Sequence, residues 1–597
     1  MKRFFIGALA CIGALSILFF IGIVGLLVLA SSSKPSVPSN LVLELDLDQP
    51  LPEHVLDESF AGAFGKRPTT VRDVVEALEK AGSDPRVKSV VARVGSPGSA
   101  AQAQELRDAV QAFRAKGKRA VAYADSLGES GNGTGAYYLA SAFDEIYIQP
   151  SGDVALTGIS IETPFARDAF AKFGVVPRFS KRAEYKNAVD TYTEQDYTAP
   201  HREATDGFTS SLYGQIVRGV AEGRKMTEAQ VRDLIDHAPY FGKEALEAKL
   251  VDGLRYRDEV YDDLKKQAGE GAQLLYADKY LERAGRPHTR GDTLALIYGV
   301  GELVRGKSQS NPLSGGQAMG GDSVASAFRK AVEDPRVKAI LFRVDSPGGS
   351  YVASDTVRRE VQRAREAGKP VIVTMGTYAA SGGYFVSMDA DKIVAQPGTL
   401  TGSIGVYSGK FVTADFWARL GVNFDAVSQG RNANMYSSDS DFTPEEKQRF
   451  ENSLDQIYAD FTARAAAGRK LPVEKLRDVA RGRVWTGEDA STRGLVDALG
   501  GYAKAIELAK EAAKLPKDAP INIEEFPRPK PTAQVLAELF GERNGDNSED
   551  DVTARAATWA PVMEQARAVY QLGEQLGLTR GNARSSALYA PPPAIRW

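Results

Sequence analysis

The chain repeats itself, and this repeat limits the folds open to it more than any other feature of the sequence. Three segments of the first half return in the same order in the second half: Asp84-Pro-Arg-Val-Lys88 as Asp334-Pro-Arg-Val-Lys338, Arg93-Val-Gly-Ser-Pro-Gly98 as Arg343-Val-Asp-Ser-Pro-Gly348, and Val251-Asp-Gly-Leu254 as Val496-Asp-Ala-Leu499. The offsets are 250 (334 − 84) for the first two pairs and 245 (496 − 251) for the third. Tandem duplication of one domain explains collinear matches of this kind. The 597 residues therefore predict two related domains.

Each copy alternates short apolar runs with helical patterns, most clearly in the second half. There the predicted strands are Thr293–Tyr298, Val337–Val344, Pro370–Thr374 and Lys392–Ala395, and the predicted helices are Asp322–Val332 and Val352–Ala367. Strands that alternate with helices indicate repeated βα units on a largely parallel sheet. The predicted fold class is therefore α/β, with ligand sites expected beyond the carboxyl ends of the strands.

The N-terminus carries a membrane signal. The run Phe4–Ala30 contains no charged residue and exceeds the ~20 residues that a membrane-spanning helix needs. Lys2 and Arg3 before it favour a cytoplasmic start, which would place the remaining mass outside the inner membrane. Cleavage after Ala30 is the alternative to an uncleaved signal anchor, which we favour.

Four parts follow from these features. Residues 1–40 are predicted to form a cytoplasmic start, a transmembrane anchor and a linker, 41–290 the first α/β domain, 291–515 the second, and 516–597 a Pro-rich, partly disordered extension. A net charge of −3 gives no reason to expect a nucleic-acid partner. The single cysteine, Cys11, cannot form an intrachain disulfide, and no Cys/His cluster has the spacing of a metal site.

A candidate nucleophile lies in Met375–Phe385, centred on Ser381. The apolar run Pro370–Thr374 before Ser381 predicts a strand, and Tyr384–Met388 after it predicts the first turns of a helix, so Ser381 is expected at a strand-to-helix turn. Gly382 and Gly383 after it would let a substrate approach the backbone closely, and the amides at the helix start would face developing negative charge. The alternative is an ordinary glycine-rich helix start in which Ser381 is only the cap.

Two glycine-rich loops are expected to converge on Ser381. Asp345–Gly349 and Tyr378–Gly383 both follow predicted strands, so both are expected at the same edge of the sheet. We assign one oxyanion donor to the Gly349 N–H and the other to the Gly382 N–H. The alternative for the first loop is a tight Ser-Pro-Gly-Gly turn without a catalytic role.

A serine nucleophile needs a base, and the chain offers histidines or lysines. The four histidines lie in the first half, at positions 54, 201, 237 and 288, and none lies in a predicted strand-end loop. A lysine whose pKa is lowered by burial is the other known base. Alignment of the copies places Thr134 opposite Ser381, while Lys186 has no counterpart in the second copy. This suggests one site built from both copies, with Lys186 from the first and Ser381 from the second. Lys181 is the nearest rival for the base, and a solvated loop lysine is the alternative for Lys186.

The motifs together resemble those of bacterial signal peptide peptidase A, also called protease IV, in its long, membrane-anchored form. The resemblance covers roughly residues 40–515 and rests on these segments: Ser346-Pro-Gly-Gly349, Ala379-Ala-Ser-Gly-Gly-Tyr384, Tyr185-Lys-Asn-Ala188, Thr401-Gly-Ser-Ile-Gly-Val406 and Val484-Trp-Thr-Gly487. It implies that Ser381 is the nucleophile, Lys186 the general base, Ser403 a residue that orients the lysine, and Gly349 and Gly382 the oxyanion donors. The extension 516–597 departs from the family pattern.

The resemblance also implies two tandem domains of the Clp-protease/crotonase type, assembled as a homotetramer on the periplasmic side of the inner membrane. Its implied substrates are released signal peptides, cleaved within their apolar core, and no metal or organic cofactor is expected. Two other functions stay open from the residues: a crotonase-like enzyme acting on thioesters, and an anchored scaffold without activity. The intact serine and glycines of the second copy favour the peptidase.

Overall fold

The computed structural model describes residues 35–55, 67–129, 131–310, 316–528, 588–589 and 595–596. The anchor predicted at Phe4–Ala30 and most of the predicted extension lie outside these residues. Across the described part of the chain, no helix is both long enough and apolar enough to cross a membrane.

The first unit is built around a sheet whose strands are all parallel. Its strands are β1 (Leu41–Leu47), β2 (Val87–Val94), β3 (Arg119–Ala124), β4 (Glu145–Ile148), β5 (Asp153–Val154), β6 (Ser160–Ile161), β7 (Val176–Lys181), β8 (Tyr240–Phe241), β9 (Gly253–Leu254) and β10 (Gln273–Tyr276). Its helices are α1 (Val71–Ser83), α2 (Ala100–Arg114), α3 (Thr134–Ala140), α4 (Arg167–Phe173), α5 (Asp190–Thr193), α6 (Ala199–Arg224), α7 (Glu228–Asp236), α8 (Gly242–Glu247), α9 (Arg257–Ala268) and α10 (Ala277–Ala284). The order in the main sheet is β10-β1-β2-β3-β4-β9.

The second unit repeats this plan. Its strands are β11 (Asp292–Val300), β12 (Glu302–Val304), β13 (Gln309–Ser310), β14 (Gln317–Gly320), β15 (Val337–Ser346), β16 (Gly348–Gly349), β17 (Val371–Ala380), β18 (Lys392–Ala395), β19 (Leu400–Gly402), β20 (Tyr407–Val412), β21 (Val484–Thr486), β22 (Ala498–Leu499) and β23 (Ile521–Phe526), followed by the tail strands β24 (Leu588–Tyr589) and β25 (Ile595–Arg596). Its helices are α11 (Gly321–Glu333), α12 (Tyr351–Glu366), α13 (Gly382–Ser387), α14 (Ala414–Arg419), α15 (Pro444–Arg469), α16 (Val473–Val479), α17 (Gly487–Thr492) and α18 (Tyr502–Ala512). The main sheet runs β21-β19-β17-β15-β11-β23.

The central strands contain continuous buried apolar runs because helices cover both faces of each sheet. Val90, Val91 and Ala92 are consecutive in β2, and all three are buried. Strands β1 to β4 pair in parallel, as do β23, β11, β15 and β17, whereas β21 is antiparallel to β19. The predicted α/β class with largely parallel sheets is confirmed.

Matching contacts in the two units confirm the repeat at atomic detail. The Tyr137 hydroxyl donates to the Leu250 carbonyl at 2.8 Å, and the Tyr384 hydroxyl donates to the Leu495 carbonyl at 3.1 Å. Helices α6 and α15 are both 26 residues long, and each begins with a threonine cap followed by proline near its first turn. Proline is well suited to the first turn because its missing N–H has no partner there.

A strand pairing and a buried ion cluster are two of the features that join the units. Strand β7 of the first unit pairs antiparallel with β20 of the second, from Val176 opposite Val412 to Lys181 opposite Tyr407. The second is a buried ion cluster around Arg343.

The guanidinium of Arg343 contacts Glu53 at 2.8 Å and Glu105 at 3.1 Å, and lies 4.5 Å from the centre of the Tyr502 ring. A charge buried in this way is stable only with its partners in place, so the cluster requires the units to be docked.

The structure corrects the predicted loops at the site edge. Strand β15 continues through Ser346, β16 contains Gly348–Gly349, and β17 continues to Ala380, whereas the sequence predicted loops over Asp345–Gly349 and Tyr378–Gly383. A register shift after Val344 lets Ser346 remain paired with β17 at Ala379. The end of β17 also gains β19 as a second partner, which stabilises it as a strand despite the nearby glycines.

Candidate active site

Ser381 sits at a sharp turn between β17 and α13. Its backbone has φ +55° and ψ −113°, a conformation that a residue with a side chain rarely adopts, and its N–H donates to the Gly402 carbonyl at 2.8 Å. The side chain is buried and makes no capping hydrogen bond to α13. The alternative that Ser381 is only a helix cap is therefore wrong, and the strained turn is of the kind that concentrates at functional sites.

Lys186 reaches Ser381 from the other unit. It lies in the segment between β7 and a 3-10 turn at Asn187–Val189. Its Nζ is 2.8 Å from Ser381 Oγ, 3.0 Å from Ser403 Oγ and 3.1 Å from the Ser403 carbonyl oxygen. The structure thus brings together the three side chains predicted for the centre of the site.

Burial controls the charge of this lysine. Lys186 is 1% exposed, and burial lowers its pKa to about 7. The cause is desolvation, since the ammonium form loses its water without gaining a charged partner. A lysine with this pKa is largely neutral just above pH 7 and can accept the proton of a nearby hydroxyl.

Two glycines of the second unit hold the backbone and stem of Lys186. A Cβ added at Gly482 would lie 2.5 Å from the Lys186 nitrogen, and one added at Gly405 would lie 3.1 Å from Lys186 Cδ. The Tyr185 N–H donates to the Arg481 carbonyl beside them at 3.1 Å. Sequence reasoning missed both glycines: Gly405 lies inside the quoted Thr-Gly-Ser-Ile-Gly motif, but nothing in the pattern around Gly482 marks it.

Ser403 is held at a second strained backbone position, just after β19. Its φ is +49°, and its N–H donates to the Arg483 carbonyl at 2.7 Å. The preceding β19 is fixed to β17 because the Thr401 hydroxyl donates to the Ala379 carbonyl at 2.8 Å. Ser381 and Ser403 are therefore held near each other, since each directly follows the end of one of these two paired strands.

The two predicted donor glycines lie side by side. A Cβ added at Gly382 would lie 3.1 Å from the Gly349 nitrogen and 2.8 Å from Ser354 Oγ, so only glycine fits there without displacing its neighbours. Gly349 has φ +147°, and a Cβ on it would meet the Leu303 carbonyl at 2.3 Å. The backbones of the two glycines therefore lie in close contact beside Ser381.

The rival bases are engaged elsewhere. Each of the four histidines is within reach of a different carboxylate: His54 of Glu525, His201 of Asp190, His237 of Asp233, and His288 of Glu79. Lys181 is 2.6 Å from Asp190, which keeps it in an ion pair. In the first unit, Thr134 takes the position equivalent to Ser381, and its hydroxyl accepts from the Gly158 N–H at 2.9 Å.

A buried serine hydroxyl within hydrogen-bonding distance of a desolvated lysine amine, with glycine backbones beside it, is an arrangement typical of a serine hydrolase that attacks carbonyl carbon. Comparison with known proteins narrows this class. The sequence profile of Peptidase family S49 matches residues 112–270 and 363–516, once in each unit. The chain belongs to this family and is a serine protease.

Relatives of known identity match most of the chain. The chloroplastic serine protease SPPA of Arabidopsis thaliana is 34% identical over 465 residues, which are 76% of this chain and 67% of the relative. Protease 4 of Salmonella typhi is 33% identical over 509 residues, which are 81% of this chain and 80% of that protein. Protease 4 of Haemophilus influenzae is 30% identical over 480 residues, with 77% and 76% covered. The predicted resemblance to signal peptide peptidase A is confirmed, and the thioester enzyme and the inactive scaffold are set aside.

Proposed function

We propose that this serine protease uses a Ser381–Lys186 dyad to cleave released signal peptides within their apolar core. The observation that carries the proposal is the 2.8 Å approach of Lys186 Nζ to Ser381 Oγ, in a site that lowers the pKa of the lysine to about 7. An ordinary lysine, with a pKa near ~10.4, would be almost fully protonated at neutral pH and could not act as a base.

The chemistry would run in two stages. Neutral Lys186 takes the proton of Ser381, and the alkoxide attacks the peptide carbonyl to give a tetrahedral oxyanion. Lys186 then protonates the leaving amine, which leaves an acyl-enzyme on Ser381. Water, deprotonated by the same lysine, hydrolyses the ester and restores the serine.

Three further residues would support these steps. The Gly349 and Gly382 N–H groups would donate to the oxyanion, where a single lost donor typically reduces the rate by ~10²–10³. The Ser403 hydroxyl lies 3.0 Å from Lys186 Nζ and would orient the amine toward Ser381. It would not itself transfer a proton to or from the substrate.

The substrate class, membrane location and assembly belong to the same proposal. A signal-peptide core is apolar and membrane-embedded when released, so an enzyme anchored through Phe4–Ala30 would meet it at high local concentration. Lys2 and Arg3 before that run support a single-pass topology with the catalytic bulk in the periplasm. The proposal also includes two tandem units of the Clp-protease/crotonase type and their assembly as a homotetramer. It includes no metal or organic cofactor. The family resemblance supports these three points.

The test uses the full-length chain in detergent with a fluorogenic apolar peptide. Ser381→Ala and Lys186→Ala should both abolish turnover, while Lys181→Ala, which removes the neighbouring ion-paired lysine, should retain it. In the wild type, kcat/KM should rise tenfold per pH unit below pH 7 and level off above it. Turnover by Ser381→Ala at the wild-type rate would refute the mechanism, and near-normal turnover by Lys186→Ala would refute the base.

Topology and assembly are tested separately. Protease added to intact spheroplasts should digest the catalytic units only if they face the periplasm. Light scattering in detergent should give the mass of four chains. Protection of the units in spheroplasts would overturn the location, and a monomer mass would overturn the tetramer.

A further inference from the structure

Arg483 links the two units beside the site. It directly precedes β21 in the second unit, and its carbonyl accepts the Ser403 N–H at 2.7 Å. Its guanidinium reaches the first unit, where Nη1 is 2.6 Å from Glu203 Oε1 of α6. One residue therefore connects the backbone of Ser403 to the unit that carries Lys186.

The guanidinium of Arg483 also stacks on two aromatic rings. Its Cζ lies 4.9 Å from the centre of the Tyr185 ring and 4.5 Å from the centre of the Trp485 ring. Tyr185 immediately precedes Lys186, and its hydroxyl donates to Glu203 Oε2 at 2.9 Å. Arg483, Tyr185 and Glu203 thus form a closed set in which each side chain contacts the other two.

The aromatic contacts fix this arginine more than its charge does. Glu203 is exposed, and an ion pair with an exposed carboxylate contributes little. The Arg483 side chain is only 18% exposed, and within the described part of the chain its Nε is buried and has no hydrogen-bond partner. A buried donor without an acceptor is unfavourable, so the stacking on Tyr185 and Trp485 holds the guanidinium in place.

We propose that Arg483 is a positioning residue that directs the Lys186 amine at Ser381 by holding Ser403 and Tyr185 on either side of the lysine. The inference rests on the proposed function, because it concerns the base of the proposed dyad. Ser403 contacts the amine end of Lys186, with its Oγ 3.0 Å from Nζ, and Tyr185 precedes the backbone end. A residue that fixes both ends controls the direction of the side chain between them.

Loss of the guanidinium should change both the rate and its pH dependence. Tyr185 would no longer be held against the second unit, so the segment carrying Lys186 would move and water would reach the amine. Desolvation is what lowers the pKa of Lys186 to about 7, so partial hydration should raise that pKa again. Turnover would then need a higher pH, and a poorly directed amine would be slower at every pH.

The test measures kcat, KM and the pH midpoint, at which kcat/KM is half its plateau, for the full-length chain in detergent with the fluorogenic apolar peptide. Arg483→Met keeps an unbranched stem but removes the guanidinium. Its kcat should fall roughly 10–100-fold with KM changed less than about twofold, and its pH midpoint should rise by about one unit. Tyr185→Leu, which removes the ring, should shift the midpoint in the same direction, whereas Tyr185→Phe, which keeps the ring, should not.

Arg493→Met is the matched control. The Arg493 guanidinium lies 3.9 Å from the centre of the same Trp485 ring, but it donates to the Asp489 carbonyl of its own unit at 2.7 Å. Its removal should leave kcat and the pH midpoint unchanged. The pH midpoint does not depend on how much of the enzyme is folded, so it can be read even from a less stable variant.

The outcomes separate this proposal from the function beneath it. A lower kcat in Arg483→Met with the wild-type pH midpoint would show a general structural role and overturn the positioning role, as would an unchanged kcat. An equal shift of the midpoint in Arg493→Met would assign the effect to packing around Trp485 and also overturn it. Turnover by Ser381→Ala or Lys186→Ala at the wild-type rate would instead refute the proposed dyad itself, whatever the arginine variants do.

Discussion

Replacing Lys186 with methionine should abolish activity and stabilise the fold at the same time. Methionine keeps an unbranched side chain of similar length but removes the buried amine. The ordinary lysine pKa is near ~10.4, so a folded-state pKa of about 7 corresponds to a difference of roughly 3.4 pH units and, at ~1.4 kcal/mol each, to on the order of 4–5 kcal/mol. This is the cost of burying the charged amine below pH 7.

Three lost hydrogen bonds reduce that gain. The Lys186 Nζ contacts with Ser381 Oγ, Ser403 Oγ and the Ser403 carbonyl oxygen all disappear, at roughly 1 kcal/mol per hydrogen bond. The expected net stabilisation at pH 6 is therefore about 1–2 kcal/mol. Between pH 7 and about 10.4 the Lys186 amine is neutral in the native state but still protonated in the unfolded chain. The free energy of unfolding of the wild type therefore rises with pH in that window. The advantage of the variant should shrink there by ~1.4 kcal/mol per pH unit, vanish between about pH 8 and 9, and become a disadvantage at higher pH.

Urea unfolding of the full-length chain in one detergent, at pH 6, 8 and 10, measures this difference. The matched control is Lys181→Met, which breaks the 2.6 Å ion pair with Asp190 and should destabilise the fold at pH 6 and pH 8. A Lys186→Met chain that is less stable than the wild type at pH 6 would show that the amine is not buried at a net cost. A stabilisation that stays constant from pH 6 to pH 10 would show that the protonation of Lys186 does not affect the free energy of unfolding.

Three further substitutions probe other parts of the site. Gly382→Ala should reduce kcat by roughly 10²-fold or more, because the new Cβ would lie 2.8 Å from Ser354 Oγ and displace an oxyanion donor; steady-state kinetics measure it. Ser403→Ala should lower kcat by roughly 10–100-fold with KM unchanged, since the lysine loses its orienting hydroxyl while peptide contacts remain. Arg343→Met should destabilise the fold by roughly 3–5 kcal/mol in urea unfolding, because it leaves two buried carboxylates unpaired.

Each of these has a control in the same chain. Gly368→Ala, at φ +74° with open space around it, should leave kcat unchanged, and equal kcat values for both glycine variants would contradict the oxyanion role of Gly382. Ser387→Ala is the control for Ser403→Ala, because it removes a buried hydroxyl that donates to the Gly383 carbonyl and does not contact Lys186. If both serine variants lost the same factor in kcat, the loss would reflect packing and not orientation of the lysine. Arg365→Met breaks a partly exposed pair with Asp391 and should cost less than ~1 kcal/mol; a similar cost for both arginines would argue against the buried cluster.

The local parts of this molecule could be predicted because local patterns encode them. The apolar runs before Ser346 and Ser381 predicted strands, and the glycines after Ser381 predicted a turn into a helix, although that helix begins two residues before the predicted Tyr384. The repeat added long-range information, because Lys186 lacks a counterpart in the second copy, and the family resemblance of Tyr185-Lys-Asn-Ala188 then set it ahead of Lys181. The structure then placed its Nζ beside Ser381, 195 residues away in sequence.

The contacts between the units could not be predicted in this way. Gly482 is nearly 300 positions from Lys186, and its requirement for glycine comes only from the backbone that crosses it. The pairing of β7 with β20 depends on a register that neither strand specifies alone. Glu53 lies in an irregular segment, and no periodicity links it to Arg343, whose charge it partly neutralises.

The division of the site between two units also explains why so many of its positions are strained or buried. Ser381 and Ser403 both have positive φ, and Lys186 is desolvated, so each alone raises the free energy of the native state. Hydrogen bonds within the second unit hold the two serines, since the Ser381 N–H donates to the Gly402 carbonyl and the Ser403 N–H to the Arg483 carbonyl. The desolvation of Lys186 depends on the other unit, because Gly405 and Gly482 pack against it. An undocked first unit would expose Lys186 to water and return its pKa toward the ordinary value. The proposed dyad therefore requires the two units to be docked.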